Sequence, residues 1–198
     1  MLDAEAADNR GYDGLFGWMR KAEAVWNGHR PSEISFVQQL DYYGKLATQF
    51  PIAPLRVVYT ASGTNPAACI LRNRSNVNGH KLYWAPVDNE DEASYLCIVL
   101  NCEVSRSRIE AYQSRGQWGA RDFDKVMFNL PIPRFEAADP LHTDLAAAAA
   151  EAETIAAAVP IADGVKFQRA RKLVRDALID AGLAERIDGL VARLLDGD

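Results

Sequence analysis

The sequence predicts an α+β protein: a small mixed or antiparallel sheet with helices, followed by an α-helical C-terminal bundle. Three observations lead there. β-branched and aromatic residues cluster in three short runs between residues 55 and 87, separated by polar, turn-rich stretches. Helix-start signals stand at Asn89 and at Asp139-Pro140. Beyond residue 139 the apolar positions repeat at helical spacing almost to the end of the chain. On this reading the chain divides into an N-terminal helical segment (1–54), an α/β segment (55–136) and a helical spacer or bundle (137–198).

Residues 1–14 read as a loose polar leader. Leu15, Phe16, Met19, Ala22 and Trp26 place a short helix over 15–28, closing at Gly28. Ser32 is expected to cap a second helix carrying Ile34, Val37, Leu40, Tyr43 and Leu46 on one stripe, with Pro51 and Pro54 ending it. Leu55–Thr60, Ala68–Arg72 and Lys81–Val87 are the strand candidates. A turn at Ala61–Pro66 and a polar loop at Arg72–His80 connect them. Asn89 and Glu92 have capping-box spacing, and the acidic residues of 88–92 suit the positive end of a helix that continues through the apolar run Ala93–Leu100. Glu103–Tyr112 reads as a further helix, Gln113–Ala120 as a Gly-containing loop, and Asp122–Val126 as one helical turn. Met127–Phe135 reads as an extended segment fixed by Pro131 and Pro133, with the character of an edge strand.

The last third is helical. Leu141, Leu145, Ala148, Ala152, Ile155 and Val159 repeat at 4-3-4-3-4 spacing, a heptad seam of mostly small residues roughly 30 Å long over 20 residues. Pro160 stops it. Helices over about 164–181 and 183–196 follow, split by Gly182, and the final one puts Leu183, Ile187, Leu190, Val191 and Leu194 on one face.

A length of 198 residues is enough to bury a real core, and 48% hydrophobic with 25% charged residues is ordinary for a globular chain. No apolar run reaches the roughly 18 residues of a membrane span. The acidic N-terminus lacks a signal-peptide core, so a cytoplasmic location is expected. Three cysteines without a C-x-x-C point to reduced thiols rather than to a disulfide framework or zinc site. The net charge of −5 is uneven: residues 56–135 carry ten basic and eight acidic groups, residues 136–198 seven and twelve. An acidic total argues against a non-specific coater of DNA and leaves room for a local DNA-reading face in the middle third.

Catalytic signatures are missing. There is no G-x-S-x-G elbow and no Walker-type phosphate loop. His29, His80 and His142 lie far apart without metal-ligand spacing. None of the six lysines follows an acidic residue by two positions, as a P-D…(D/E)-x-K nuclease requires. Asn65-Pro66 is followed by Ala67-Ala68 rather than by proline and an aromatic, so the amino clamp of an N-P-P-[YF] methyltransferase is not formed.

Three segments stand in fixed order: Tyr95-Leu96-Cys97-Ile98-Val99-Leu100-Asn101-Cys102, the loop Gln113–Arg121, and Phe128-Asn129-Leu130-Pro131-Ile132-Pro133-Arg134 ahead of the alanine-rich helix. In this set, over about residues 55–160, the chain resembles the target recognition (specificity) domain of restriction–modification systems. That family includes the specificity subunits of type I enzymes and the C-terminal domains of TaqI-type adenine DNA methyltransferases. Cys102 stands where the family usually has serine. Glu136-Ala137-Ala138-Asp139 replaces the acidic pair typical of type I subunits, which favours the methyltransferase-fused branch.

The resemblance implies sequence-specific recognition of double-stranded DNA in a module that is non-catalytic by itself. It also implies a methyltransferase or nuclease domain or subunit as partner. No cofactor is expected in this chain, since S-adenosylmethionine would be bound by the partner catalytic domain. No membrane is involved. The residues permit this reading. Arg72, Arg74, Asn76, Asn78, His80 and Lys81 concentrate donors in one loop, and Ser114, Arg115, Gln117, Trp118 and Arg121 in a second, with Lys125 just beyond. Arg and Asn are the side chains shaped for guanine and adenine edges. Arg106 and Arg108 are phosphate-contact candidates. The alternative is a protein-interaction or scaffold domain in which the Ala/Leu heptad helix pairs with a partner and no DNA binds.

Overall fold

The computed structural model describes residues 2–29, 33–63, 65–79, 81–116 and 119–197, and for 114–116, 119–121 and 124 the backbone alone. The chain forms two compact units, residues 1–52 with 75–80, and residues 53–74 with 81–198. Residues 75–80, which the sequence places in the 55–136 segment, group with the smaller unit. Residues 81–136 and 137–198 lie within the same unit.

The smaller unit is helical. α1 (Ala4–Asp8) is capped by Asp3, whose carboxylate accepts from the Ala6 amide at 2.7 Å. α2 (Asp13–His29) buries only Met19, and its Trp26 indole donates to the Ile34 carbonyl at 2.8 Å. α3 (Phe36–Leu40) is shorter than the apolar stripe suggests. Ser35 caps it, in a reciprocal capping box with Gln38, while Ser32, the expected cap, lies outside the described residues. The helix stops because the Asp41 carboxylate takes the amides of Leu46 and Ala47 at 2.9 Å each, and Tyr43 adopts a left-handed φ of 58°. Local side-chain bonding here overrides a helical hydrophobic pattern.

The larger unit is α+β. β1 (Arg56–Thr60), β2 (Ala68–Leu71) and β3 (Leu82–Pro86) form an antiparallel sheet in the order β2-β1-β3. The central strand is buried from Arg56 to Tyr59, and Pro86 closes an edge strand, where a missing donor is tolerated. α4 (Glu90–Asn101) starts at Asn89, whose side chain accepts from the Glu92 amide at 2.9 Å. Its apolar residues surround the axis, so it packs between the sheet and α6 (Pro140–Ala158). At its end the Asn101 side chain accepts from the Ala68 N–H at 2.9 Å and donates to the Ala68 carbonyl at 3.0 Å, closing the free edge of β2.

α5 (Glu103–Glu110) follows at once. The Cys102 thiol caps it, accepting from the Ser105 amide at 3.4 Å, the task a serine would perform at this position. The segment expected as a loop after it is instead a hairpin, β4 (Ser114–Gly116) and β5 (Gly119–Asp122). Its glycines sit at the turn, which reads equally as loop or as hairpin in sequence. A 3-10 helix (Asp124–Asn129) then runs further than the single turn expected. Leu130–Phe135 is extended but joins no ladder among the described residues. It is held by its own carbonyl, since the buried Tyr95 hydroxyl donates to Pro133 O at 2.9 Å while Phe135 and His142 pack on the Tyr95 ring. The proline-rich segment is therefore a strap over α4 rather than an edge strand.

α6 begins as expected, with Asp139 as cap and Pro140 in the first turn. Leu145, Ala148 and Ala152 of the heptad seam are buried in the unit's own core, against α4 and α8 (Leu183–Asp196). α7 (Phe167–Asp180) and α8 are joined through Gly182 at φ 69°, a left-handed link that glycine makes without strain. Asp188 on α8 accepts from the Glu103 and Val104 amides at 3.0 and 3.3 Å, satisfying the positive end of α5.

Two predictions test this packing. Leu145 is fully buried, so Leu145→Ala lowers the unfolding free energy by about 2–5 kcal/mol in urea titrations. Burial pushes the Tyr95 hydroxyl up to about 12, so its proton stays on in the folded chain after the unfolded chain has lost it. Tyr95→Phe accordingly lowers stability by about 1 kcal/mol at neutral pH. Above pH about 10 the wild type loses stability that the variant keeps, so the gap closes and then reverses before pH 12 in pH-stepped denaturation.

Candidate functional site

β1 organises two separate places where expected DNA-contact residues lie. At its Thr60 end, Ala61 N donates to Lys81 O at 3.0 Å, Phe123 N donates to Ala61 O at 2.9 Å, and Ser62 bridges to Asp122. These bonds seat the β4–β5 hairpin beside the start of β3. Backbone positions Ser114, Arg115 and Arg121 of the hairpin, Lys81 and the exposed Lys125 therefore gather at one end of the sheet. At the other end, roughly 13 Å away along the strand, Leu71 pairs with Arg56 and leads into Arg72 and Arg74. Arg74 and Arg115 are thus not brought together. Asn76 and Asn78 belong to the smaller unit. His80, Gln117 and Trp118 lie outside the described residues.

Several expected contact residues already have work inside the chain. Arg72 lies against two carboxylates: Nε donates to Glu90 at 2.9 Å, and the two terminal nitrogens make a bidentate pair with Glu153 at 2.9 Å each. It links β2, α4 and α6. Arg106 is bound to Glu103, with Nε to Oε2 at 2.8 Å, and faces Glu110; the guanidinium holds the Glu103 carboxyl below its usual range. Arg108 donates to Asp196 on α8 at 2.7 Å. Asn78 is buried, and its backbone is clasped by Gln49, which accepts from Asn78 N at 2.7 Å and donates to Asn78 O at 2.9 Å. Placed as a base reader by sequence, Asn78 is a structural residue, because its amide unit completes the hydrogen bonding of buried Gln49.

A second feature escapes the sequence reading. Beneath α7 lies a cavity of about 970 Å³, bounded by β2, α4, α6 and α8. Its surface is largely apolar. Cys69 and Cys97 both line it, and burial pushes the Cys97 thiol up to about 12, far from the thiolate needed of a nucleophile near neutral pH. Asn101, also at the wall, is committed to Ala68. Among the described residues no group of three or more His, Cys, Asp or Glu side chains could hold a metal ion, and no helix is long and apolar enough to cross a membrane. The available signal was the pattern of 167–178, where Phe167, Ala170, Val174 and Leu178 share a stripe with five basic residues nearby; it reads as one more bundle helix until its packing is known.

No family model, curated protein or solved structure matches the chain.

Proposed function

We propose that the chain is a sequence-specific double-stranded DNA recognition module, non-catalytic by itself, of a restriction–modification DNA methyltransferase. The observation that supports this most is the seating of the β4–β5 hairpin at the Lys81 end of the sheet through the Ser62–Asp122 bridge. A two-stranded ribbon is one of the two protein elements that the major groove of B-DNA admits. Arg115 and Arg121 on that ribbon supply the forked donors for guanine edges, and Lys81 and Lys125 beside it supply phosphate contacts. Arg72, Arg106 and Arg108 are left out of the contact set, because taking them to phosphate breaks ion pairs with Glu90, Glu153, Glu103 and Asp196.

Double-stranded DNA and a methyltransferase or nuclease partner remain the partners on this reading, with S-adenosylmethionine on the partner. The absence of a catalytic constellation in the sequence agrees with a division of labour in which the partner does the chemistry. The scaffold alternative has less to stand on, since the centre of the heptad seam is already covered by α4 and α8.

The test is a salt titration with a randomised duplex library, read by fluorescence anisotropy and followed by sequencing of the bound fraction. Binding weakens with a log–log slope of about −0.9 per phosphate contacted. Lys81→Ala makes the slope shallower by about one, Arg115→Ala relaxes the selected sequence, and Arg72→Ala leaves both unchanged while lowering stability by no more than about 1 kcal/mol. Failure to bind duplex in 50 mM salt, or binding indifferent to salt, removes the proposal.

A further inference from the structure

We propose that the space beneath α7 is a binding site for a free long-chain carboxylate, its hydrocarbon lying along the helix and its head group taken by Arg171 and Arg175. The inference is independent of the DNA reading and rests on four observations about α7 and the cavity.

First, α7 is amphipathic, yet none of its side chains is fully buried: Leu173, Val174, Ala177 and Leu178 are only half-buried, with Leu178 touching the core. Most helices in proteins are stabilised by packing their apolar face. Here that face, with Val174 and Leu178 at its centre, looks into about 970 Å³ of space, near the upper end of the roughly 300–1,000 Å³ of small-molecule sites. Ile70 and Ile98 on the opposite side, and Ala152 and Ala156 on α6, continue the apolar wall. The small alanines are what leave the room. At the rim, Ile161 and Phe167 are 48% and 72% exposed, so apolar surface continues to the opening.

Second, the shape is long. The lining residues of α7 run from Phe167 to Ile179, roughly 18 Å of helix. Third, the walls are largely apolar, and the polar groups Arg72, Glu103, Arg106, Glu153 and Asp188 among them are already bonded within the chain. Asn101 is engaged with Ala68, and the thiols are weak donors. A ligand with polar groups along its length would lose their hydration without replacement, so the buried part is hydrocarbon.

Fourth, the charge available to a head group is positive. Arg72 is neutralised by Glu90 and Glu153, and Glu103 is hydrogen-bonded by Arg106 while also feeling the charge of Arg175, so Arg175 shares a carboxylate already held by another guanidinium and keeps its own donors for a head group. Arg171 spends one N–H on the Pro66 carbonyl, at 3.3 Å across the cavity mouth, and lies 5.6 Å over the Phe167 ring. These two guanidiniums stand one turn apart on the cavity side of α7. A carboxylate there gains charge-assisted hydrogen bonds that an alcohol of the same length cannot match.

The experiment is calorimetric titration of the full chain with dodecanoate below its micelle concentration at pH 8, with dodecanol as the uncharged control. Wild type binds dodecanoate saturably at one per chain and dodecanol at least tenfold more weakly. Arg175→Ala weakens dodecanoate about tenfold while leaving dodecanol unchanged. Ala156→Phe, which fills the cavity from α6, abolishes both; Val174→Trp repeats the block from the opposite wall should the first variant fail to fold by circular dichroism. Dodecanoate also raises the melting temperature of wild type and not of the filled variants. The proposal is overturned if wild type shows no saturable binding, or if binding survives cavity filling in a folded variant, which would mean adsorption elsewhere. It is equally overturned if the chain floats with phosphatidylglycerol vesicles but ignores dodecanoate, which would make α7 a membrane-surface helix.

Discussion

Helix α4 carries apolar side chains on all sides, and a helix of that kind cannot remain at a surface. The larger unit is built around this constraint. The sheet covers one flank, α6 another, and the Leu130–Phe135 strap a third. The strap is tied by the Tyr95 hydroxyl, whose burial demands a partner that Pro133 supplies. The end of the helix is tied by Asn101. Its amide presents a donor and an acceptor side by side, as a neighbouring strand would, and so substitutes for a fourth strand at β2. Gln49 uses the same device on Asn78 in the smaller unit. In both places one primary amide replaces a ladder rung and satisfies two backbone groups at once.

Electrostatics follow from this packing. The middle third has a net positive charge by count, which invites a nucleic-acid reading. Folding brings carboxylates from α4, α5, α6 and α8 against its arginines and leaves much less cation available than the count suggests. Such partly exposed pairs contribute little to stability individually. Their larger effect is on availability: an arginine held by two carboxylates is a poor phosphate ligand, while one without a carboxylate is a good one. The proposed recognition surface therefore contracts to the hairpin end of the sheet, and the basic side of α7 becomes the other place where an anion is welcome.

Much of the fold was legible. Val57, Val58, Trp84 and their neighbours alternate and cluster as strands do, Asn89 and Asp139 carry the oxygens that cap helices, and the 4-3-4 spacing from Leu141 marks the buried stripe of α6. Errors arose where short-range signals were ambiguous. The glycines of 116–119 suit a loop and a hairpin turn alike, and the stripe through Tyr43 and Leu46 suits a helix that Asp41 then terminates with its side chain. The candidate site was less legible. Donor-rich loops were visible, but whether Arg72 would meet DNA or Glu153, eighty-one positions away, was not.

Local chemistry in the sequence determined the α+β class, the order of the strands and helices along the chain, and most of their caps, because propensity, capping and hydrophobic period act over a few residues. The tertiary structure alone decided which arginines stay available, that the proline segment straps rather than pairs, and that α7, though it touches α6 and α8, leaves a space beneath it. Those outcomes depend on contacts between residues far apart in the chain and on the volumes left between packed helices. No local pattern records either.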